Sequence, residues 1–328
     1  MTVLSAQTTP RLNYIACASL TGIHRMAYWE WGDPNNSRIL LCLHGLTRTG
    51  RDFDALAQAL SPYYRVICPD IVGRGKSDHF VDPELYIVPQ YVADIFTLIA
   101  RLQPTTLDCV GTSMGGLIGL GVAYALNNAR QLLAWGSDAA TPSVDELVPL
   151  RRMVLNDIGP VINAEGLARI GNYIDEELAF DTFEEAVDHA KVRWCNFGSH
   201  TQEQWEHLAA YVFKLQDDKW VLAYDLDIAK PFKTQFLQQQ DTQINAVVQG
   251  AEAILWQAFE DLPAEVLVVH GELSDLLSKQ TTTQMLERHA KASLYEVSGV
   301  GHAPTFMQAD QIEAVQRFLL QAESKESF

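Results

Sequence analysis

Apolar positions along the chain fall into two kinds of pattern. Short continuous runs such as Ile39-Leu40-Leu41-Cys42-Leu43 read as strands covered on both faces, the pattern of a parallel sheet. Between them lie segments with apolar residues at helical spacing, for example Phe53, Leu56, Ala57 and Leu60. Strands are expected at Ala27–Trp31, Ile39–His44, Arg65–Pro69, Leu107–Val110, Met153–Leu155, Val266–His270 and Ser293–Val297. Helices are expected near residues 52–60, 89–102, 115–126, 246–259, 281–290 and 309–322. Leu132–Trp135 reads as a further strand. This alternation predicts an α/β protein with a mostly parallel, doubly wound sheet.

Residues 161–228 interrupt the alternation. They show helical periodicity at Glu184–Trp194 and Glu203–Leu215 and few strand candidates. The division is therefore a core domain of residues 1–160 and 229–328, with residues 161–228 inserted as a mostly helical cap. Trp194, Trp205, Tyr211 and Phe213 are expected to form the cap's own small core, and some of them to line a substrate pocket.

The candidate chemistry sits at strand ends. Gly111-Thr112-Ser113-Met114-Gly115 lies between an apolar strand and a small-residue helix. Glycines there permit a sharp strand-to-helix turn that exposes the Ser113 hydroxyl, with the helix amides beneath it. A serine hydroxyl needs a base, and His302 follows the last strand in Gly301-His302-Ala303-Pro304. The imidazole needs an acid to orient it. Asp275, in the loop after the penultimate strand, is the first choice; Asp157 is the alternative because it also follows a strand, and Glu272 is a third. The backbone amides of Leu46 and Met114 are the expected oxyanion donors. His44 reads as a prop for that loop. Arg48, beside it, can meet a substrate carboxylate, although an ion-paired arginine fits the sequence equally well.

In this order, several pieces resemble the α/β-hydrolase superfamily: Leu43-His44-Gly45, the loop Asp70-Ile71-Val72-Gly73-Arg74-Gly75-Lys76-Ser77, the turn around Ser113, Gly271 to Asp275, and Gly301-His302. The resemblance implies an α/β-hydrolase fold, a Ser113, Asp275, His302 triad, and a lid between the sixth and seventh sheet strands. Asn156-Asp157-Ile158-Gly159-Pro160 is similar to a subgroup of bacterial esterase-like members. A serine at residue 113 separates the chain from haloalkane dehalogenases and epoxide hydrolases, which carry aspartate there. Ser113-Met114-Gly115-Gly116 is similar to meta-cleavage carbon–carbon hydrolases, but Gly45-Leu46-Thr47-Arg48 lacks the Gly/Pro-rich form common among them.

These residues predict a serine hydrolase that cleaves a small carboxylic ester through an acyl-enzyme, with no metal and no organic cofactor. The alternatives are carbon–carbon cleavage or acyl transfer by the same triad, or a non-catalytic small-ligand receptor. No HExxH or similarly spaced set calls for a metal, and Gly73-Arg74-Gly75 forms no phosphate-binding loop. The formal charge of -17 speaks against a nucleic-acid partner or attachment to an anionic membrane. A small-molecule ester or acyl compound is the expected partner, and a homodimer is compatible with the sequence. Five cysteines without a CxxC pair, no secretory signal pattern and no apolar run of about 18 residues point to the cytoplasm. Cys42, Cys68 and Cys109, each within an apolar run, read as small core residues.

Overall fold

The structure is a computed structural model that describes residues 9–135, 148, 150–236 and 242–321. Its frame is an eight-stranded sheet built from β1 (Arg11–Ser19), β2 (Gly22–Trp31), β3 (Arg38–Leu43), β4 (Arg65–Pro69), β5 (Thr106–Thr112), β6 (Leu150–Asn156), β10 (Glu265–Gly271) and β11 (Ala292–Val297). The spatial order is β1-β2-β4-β3-β5-β6-β10-β11. From β4 to β11 every pairing is parallel, and only β2 runs against its neighbours.

The continuous apolar runs follow from cover on both faces. In β3, Ile39, Leu41 and Leu43 join one core cluster while Leu40 and Cys42 join the other. In β10, Val266 and Val268 face one side, and Leu267 and Val269 the other. Helices α1 (Asp54–Leu60) and α10 (Ala309–Leu320) close the second face through Leu56, Leu60, Val315, Phe318 and Leu319. The first face is closed by α2 (Val88–Leu102), α3 (Met114–Trp135) and α8 (Thr242–Glu260), with α9 (Lys279–Arg288) supplying Met285. Cys42, Cys68 and Cys109 are buried on β3, β4 and β5 with free thiols.

Three expectations change. Leu132–Trp135 is the last turn of α3, not a strand; the stretch after it, residues 136–147 and 149, lies outside the described residues. β1, which the apolar pattern does not call, is a sheet-edge strand with most of its residues only partly covered. The cap is also less helical than expected. Between β6 and α8 lie α4 (Ala164–Gly171), β7 (Ala179–Phe180), α5 (Phe183–Arg193), α6 (Gln202–Ala210), β8 (Phe213–Gln216), β9 (Lys219–Leu222) and α7 (Ala229–Phe236).

The strands β7, β9 and β8 form a small antiparallel sheet. The helix expected to run to Leu215 stops at Ala210, and the chain turns back through Asp217 and Asp218, both at positive φ (50° and 60°). Two consecutive positive-φ residues give the turn whose twist matches a tight hairpin. Trp194, Trp205 and Phe213 form the cap core with Val187, Leu208 and Val212, whereas Tyr211 lies beneath the Arg51 guanidinium, 4.2 Å from it. In chain order this segment falls between the sixth and seventh strands of the main sheet. Among the described residues no helix is long and apolar enough to cross a membrane.

Candidate active site

Ser113 sits where β5 passes into α3. Its φ is +53°, a left-handed conformation that costs a non-glycine residue on the order of 1–3 kcal/mol. Glycines on both sides allow it: a Cβ at Gly111 would lie 2.6 Å from the Gly115 carbonyl oxygen, and one at Gly115 would overlap the Leu43 carbonyl. The Ser113 amide donates to Asn156 O at 3.0 Å, tying the turn to the end of β6.

His302 reaches the serine from the loop after β11, its Nε2 lying 2.8 Å from Ser113 Oγ. Its Nδ1 lies 2.8 Å from Asp157 Oδ2. A carboxylate only accepts, so Nδ1 carries the proton and Nε2 presents its lone pair to the serine hydroxyl. Asp157 is itself fixed from two further sides. It accepts from the Gly271 amide at 2.9 Å and from Ser274 Oγ at 2.6 Å, and it is fully buried.

The first choice of acid is therefore corrected: Asp275 does not touch His302. It forms a two-pronged pair with Arg169 of α4, with Nη2 at 2.9 Å and Nε at 2.5 Å. Burial works to raise the Asp275 carboxyl, but the Arg169 hydrogen bonds and charge outweigh it and hold it below the usual carboxylate range. The reason for the exchange is topological. β6 and β10 are adjacent parallel strands, so the loops after both end beside His302, and the cap arginine claims one of the two aspartates. Glu272, the third candidate, accepts from Ser298 Oγ and the Gly299 amide instead.

The proposed oxyanion donors flank the serine. The amides of Leu46 and Met114 take no acceptor among the described residues, and Met114 opens α3, where the first amides have no partner within the helix. His44 props this loop: Nδ1 donates to Gly45 O at 2.7 Å and Nε2 accepts from the Ile71 amide at 2.9 Å. Burial holds its imidazole down at about 3, so it is neutral and no proton carrier at physiological pH.

Arg74, part of the Asp70–Ser77 loop, is fully buried and holds the loop that carries Leu46. Its Nε donates to Leu46 O at 2.8 Å and its Nη1 to Val72 O and Tyr91 Oη. Asn156 was also missed; its Nδ2 joins Thr112 Oγ1 at 3.0 Å to Pro304 O at 2.8 Å, linking the serine strand to the histidine loop. A hydrogen-bonding side chain at the end of a buried strand was the available signal. Elsewhere, Cys17, His24 and Asp94 come together under β1, but His24 and Gln90 already occupy both Asp94 oxygens.

Two cavities meet at Ser113. One, of about 750 Å³ with its open mouth included, is lined by His302, Arg48, Arg169, Tyr173, Trp194 and Asn196. The other, of about 630 Å³ on the same measure, is apolar, with Tyr91, Leu117, Ile158, Ile170, Phe232 and Leu276 in its wall. Leu46 lines both.

A model of the alpha/beta hydrolase family matches residues 40–315, more than half of the chain. The chain belongs to the alpha/beta hydrolase family. Within it, the chain is 43% identical over 314 residues to the 3-hydroxybutyrate-oligomer hydrolase of Cupriavidus necator, covering 94% of this chain and 98% of that protein. A solved structure from Rickettsia typhi is similar at a TM-score of 0.78 with 29% identity, covering 95% of this chain and 99% of that one. An alpha/beta hydrolase from Novosphingobium aromaticivorans is similar at 0.74 with 30% identity over the same shares. Each of these similarities runs along nearly the whole length of both chains.

Proposed function

We propose that the protein is a serine esterase that cleaves short linear hydroxyacyl oligoesters, of the kind named for its Cupriavidus relative, through an acyl-enzyme on Ser113. The observation that carries this reading is His302, held 2.8 Å from Ser113 Oγ on one side and 2.8 Å from Asp157 on the other. His302 takes the serine proton as Oγ attacks the ester carbonyl. Charge developing on the carbonyl oxygen is met by the Leu46 and Met114 amides, reinforced by the N-terminus of α3. His302 then returns the proton to the leaving alkoxide, and afterwards activates water to release the acid. Asp157 holds the imidazole in the productive tautomer throughout and stabilises its cation.

The substrate class is supported by the extensive identity to the oligomer hydrolase and by the shape of the site. Cavities on both sides of Ser113 suit an ester with an extended chain on each side of the scissile bond. No metal or organic cofactor enters this chemistry, and a cytoplasmic location suits a chain with buried free thiols. The test pairs covalent labelling by a fluorophosphonate with turnover of 3-hydroxybutyrate dimers and short-chain p-nitrophenyl esters. Both are expected in the wild type and lost in Ser113→Ala and His302→Ala. Full activity in Ser113→Ala would overturn the proposal, and slow ester turnover beside fast cleavage of a dienone would favour carbon–carbon hydrolysis.

A further inference from the structure

Arg48 lies in the wall of the cavity that holds Ser113 and His302. Only Gly45 separates it from the nucleophile: a Cβ there would sit 3.7 Å from Arg48 Cγ and 3.8 Å from Ser113 Cβ. The residue is 6% exposed. Asp52 Oδ2 accepts from Nε and Oδ1 from Nη2, both at 2.7 Å, while Nη2 also reaches Leu208 O at 3.3 Å. The Trp194 ring lies 4.4 Å from Cζ. The remaining nitrogen, Nη1, is buried and has no hydrogen-bond partner among the described residues. An unpaired buried group on a charged side chain is costly, and this one belongs to a residue in the wall of the Ser113 cavity.

The two cavities differ in what they can accept from an ester. The proton that the departing alkoxide needs comes from His302, so the leaving group lies on the His302 side of Ser113. That is the cavity of Arg48; the apolar cavity does not include His302 and suits the acyl half. We propose that Arg48 is a specificity residue that binds a carboxylate on the leaving half of the ester, so that oligoesters are cut near their free-acid end. This rests on the ester-hydrolase reading above. As Ser113 Oγ bonds to the carbonyl carbon, the carbon–oxygen bond to the alcohol breaks. The alkoxide takes its proton from His302 and departs as a hydroxy acid whose carboxylate stays on Arg48 until release.

The test compares a 3-hydroxybutyrate dimer as its free acid with the same dimer whose terminal carboxyl is a primary amide. The wild type is expected to favour the free acid in kcat/KM by roughly tenfold to a hundredfold, the range of one charge-assisted hydrogen bond. In Arg48→Gln that ratio falls to about one, chiefly through KM for the acid, and Arg48→Lys restores part of it. Asp52→Asn leaves the guanidinium without its compensating charge and raises the ratio. A wild-type ratio near one overturns the proposal, as does a ratio unchanged in folded Arg48→Gln. If Arg48→Gln does not fold, an unchanged ratio in Asp52→Asn overturns it instead. No turnover by the wild type on either dimer or on neutral p-nitrophenyl esters is a failure of the esterase reading, so the two failures are told apart.

Discussion

Replacing Asp157 by Asn keeps the shape of the side chain but reverses the hydrogen bond to His302. The Gly271 amide donates to Oδ1 at 2.9 Å, so in the variant the amide oxygen stays there and the NH₂ group takes the place of Oδ2. That NH₂ then faces His302 Nδ1, which must accept. The imidazole proton moves to Nε2, where the serine needs a lone pair. Removal of a triad acid by this route costs roughly 10⁴-fold in kcat, about 5.5 kcal/mol of transition-state stabilisation. Asp275→Asn breaks only the Arg169 pair, whose two side chains are 33% and 36% exposed. Such a pair contributes about 1 kcal/mol or less to stability, and its loss leaves the His302–Asp157 hydrogen bond in place, so the kcat loss should stay below roughly tenfold. Steady-state kinetics on a p-nitrophenyl ester, with thermal melts to confirm that both variants fold, decides between them. A loss in Asp275→Asn equal to or larger than that in Asp157→Asn would refute the assignment of the acid.

Gly115→Ala forces a methyl group into the Leu43 carbonyl, so a stability loss of about 1–3 kcal/mol or more and near-complete loss of turnover are expected, read by urea denaturation and ester assay. His44 gives a pH dependence. Its folded-state value near 3 lies below the ordinary 6.5, so its contribution to stability is full above pH 6.5 and is lost as pH falls toward 3. Between pH 7 and 5 the wild type should therefore lose about 2 kcal/mol more than His44→Gln, measured by urea unfolding across that range; equal slopes would contradict the buried neutral imidazole. Arg74→Met leaves Leu46 O without its donor and, with the Leu46 amide as the proposed oxyanion donor, should lower kcat more than it raises KM.

The main sheet was legible because burial on both faces writes itself as unbroken apolar runs, as in Ile39 to Leu43 and Val266 to Val269. Ser113 and His302 were legible because each is confined by local needs: glycines at a strained turn, and a loop at the end of the last strand. The acid was not. Asp157 and Asp275 follow adjacent parallel strands, and sequence alone does not say which one a cap arginine will engage. Arg169 lies in the least readable segment, so the deciding contact was out of view. β8 and β9 escaped for a similar reason. Each is four residues long, and their turn is Asp217-Asp218, without the glycine that usually marks a hairpin. β1 is only partly covered, and its alternation carries too few large apolar residues to stand out.

The central claim is that an ester's acyl group passes through Ser113 Oγ. Acid-quenching the enzyme milliseconds after mixing with a 3-hydroxybutyrate trimer, followed by peptide mass spectrometry, reads this directly. The account predicts a hydroxyacyl adduct on the peptide containing Ser113, present in the wild type and absent from Ser113→Ala. Rapid product release with no adduct at Ser113, or an adduct on a different residue, would contradict it.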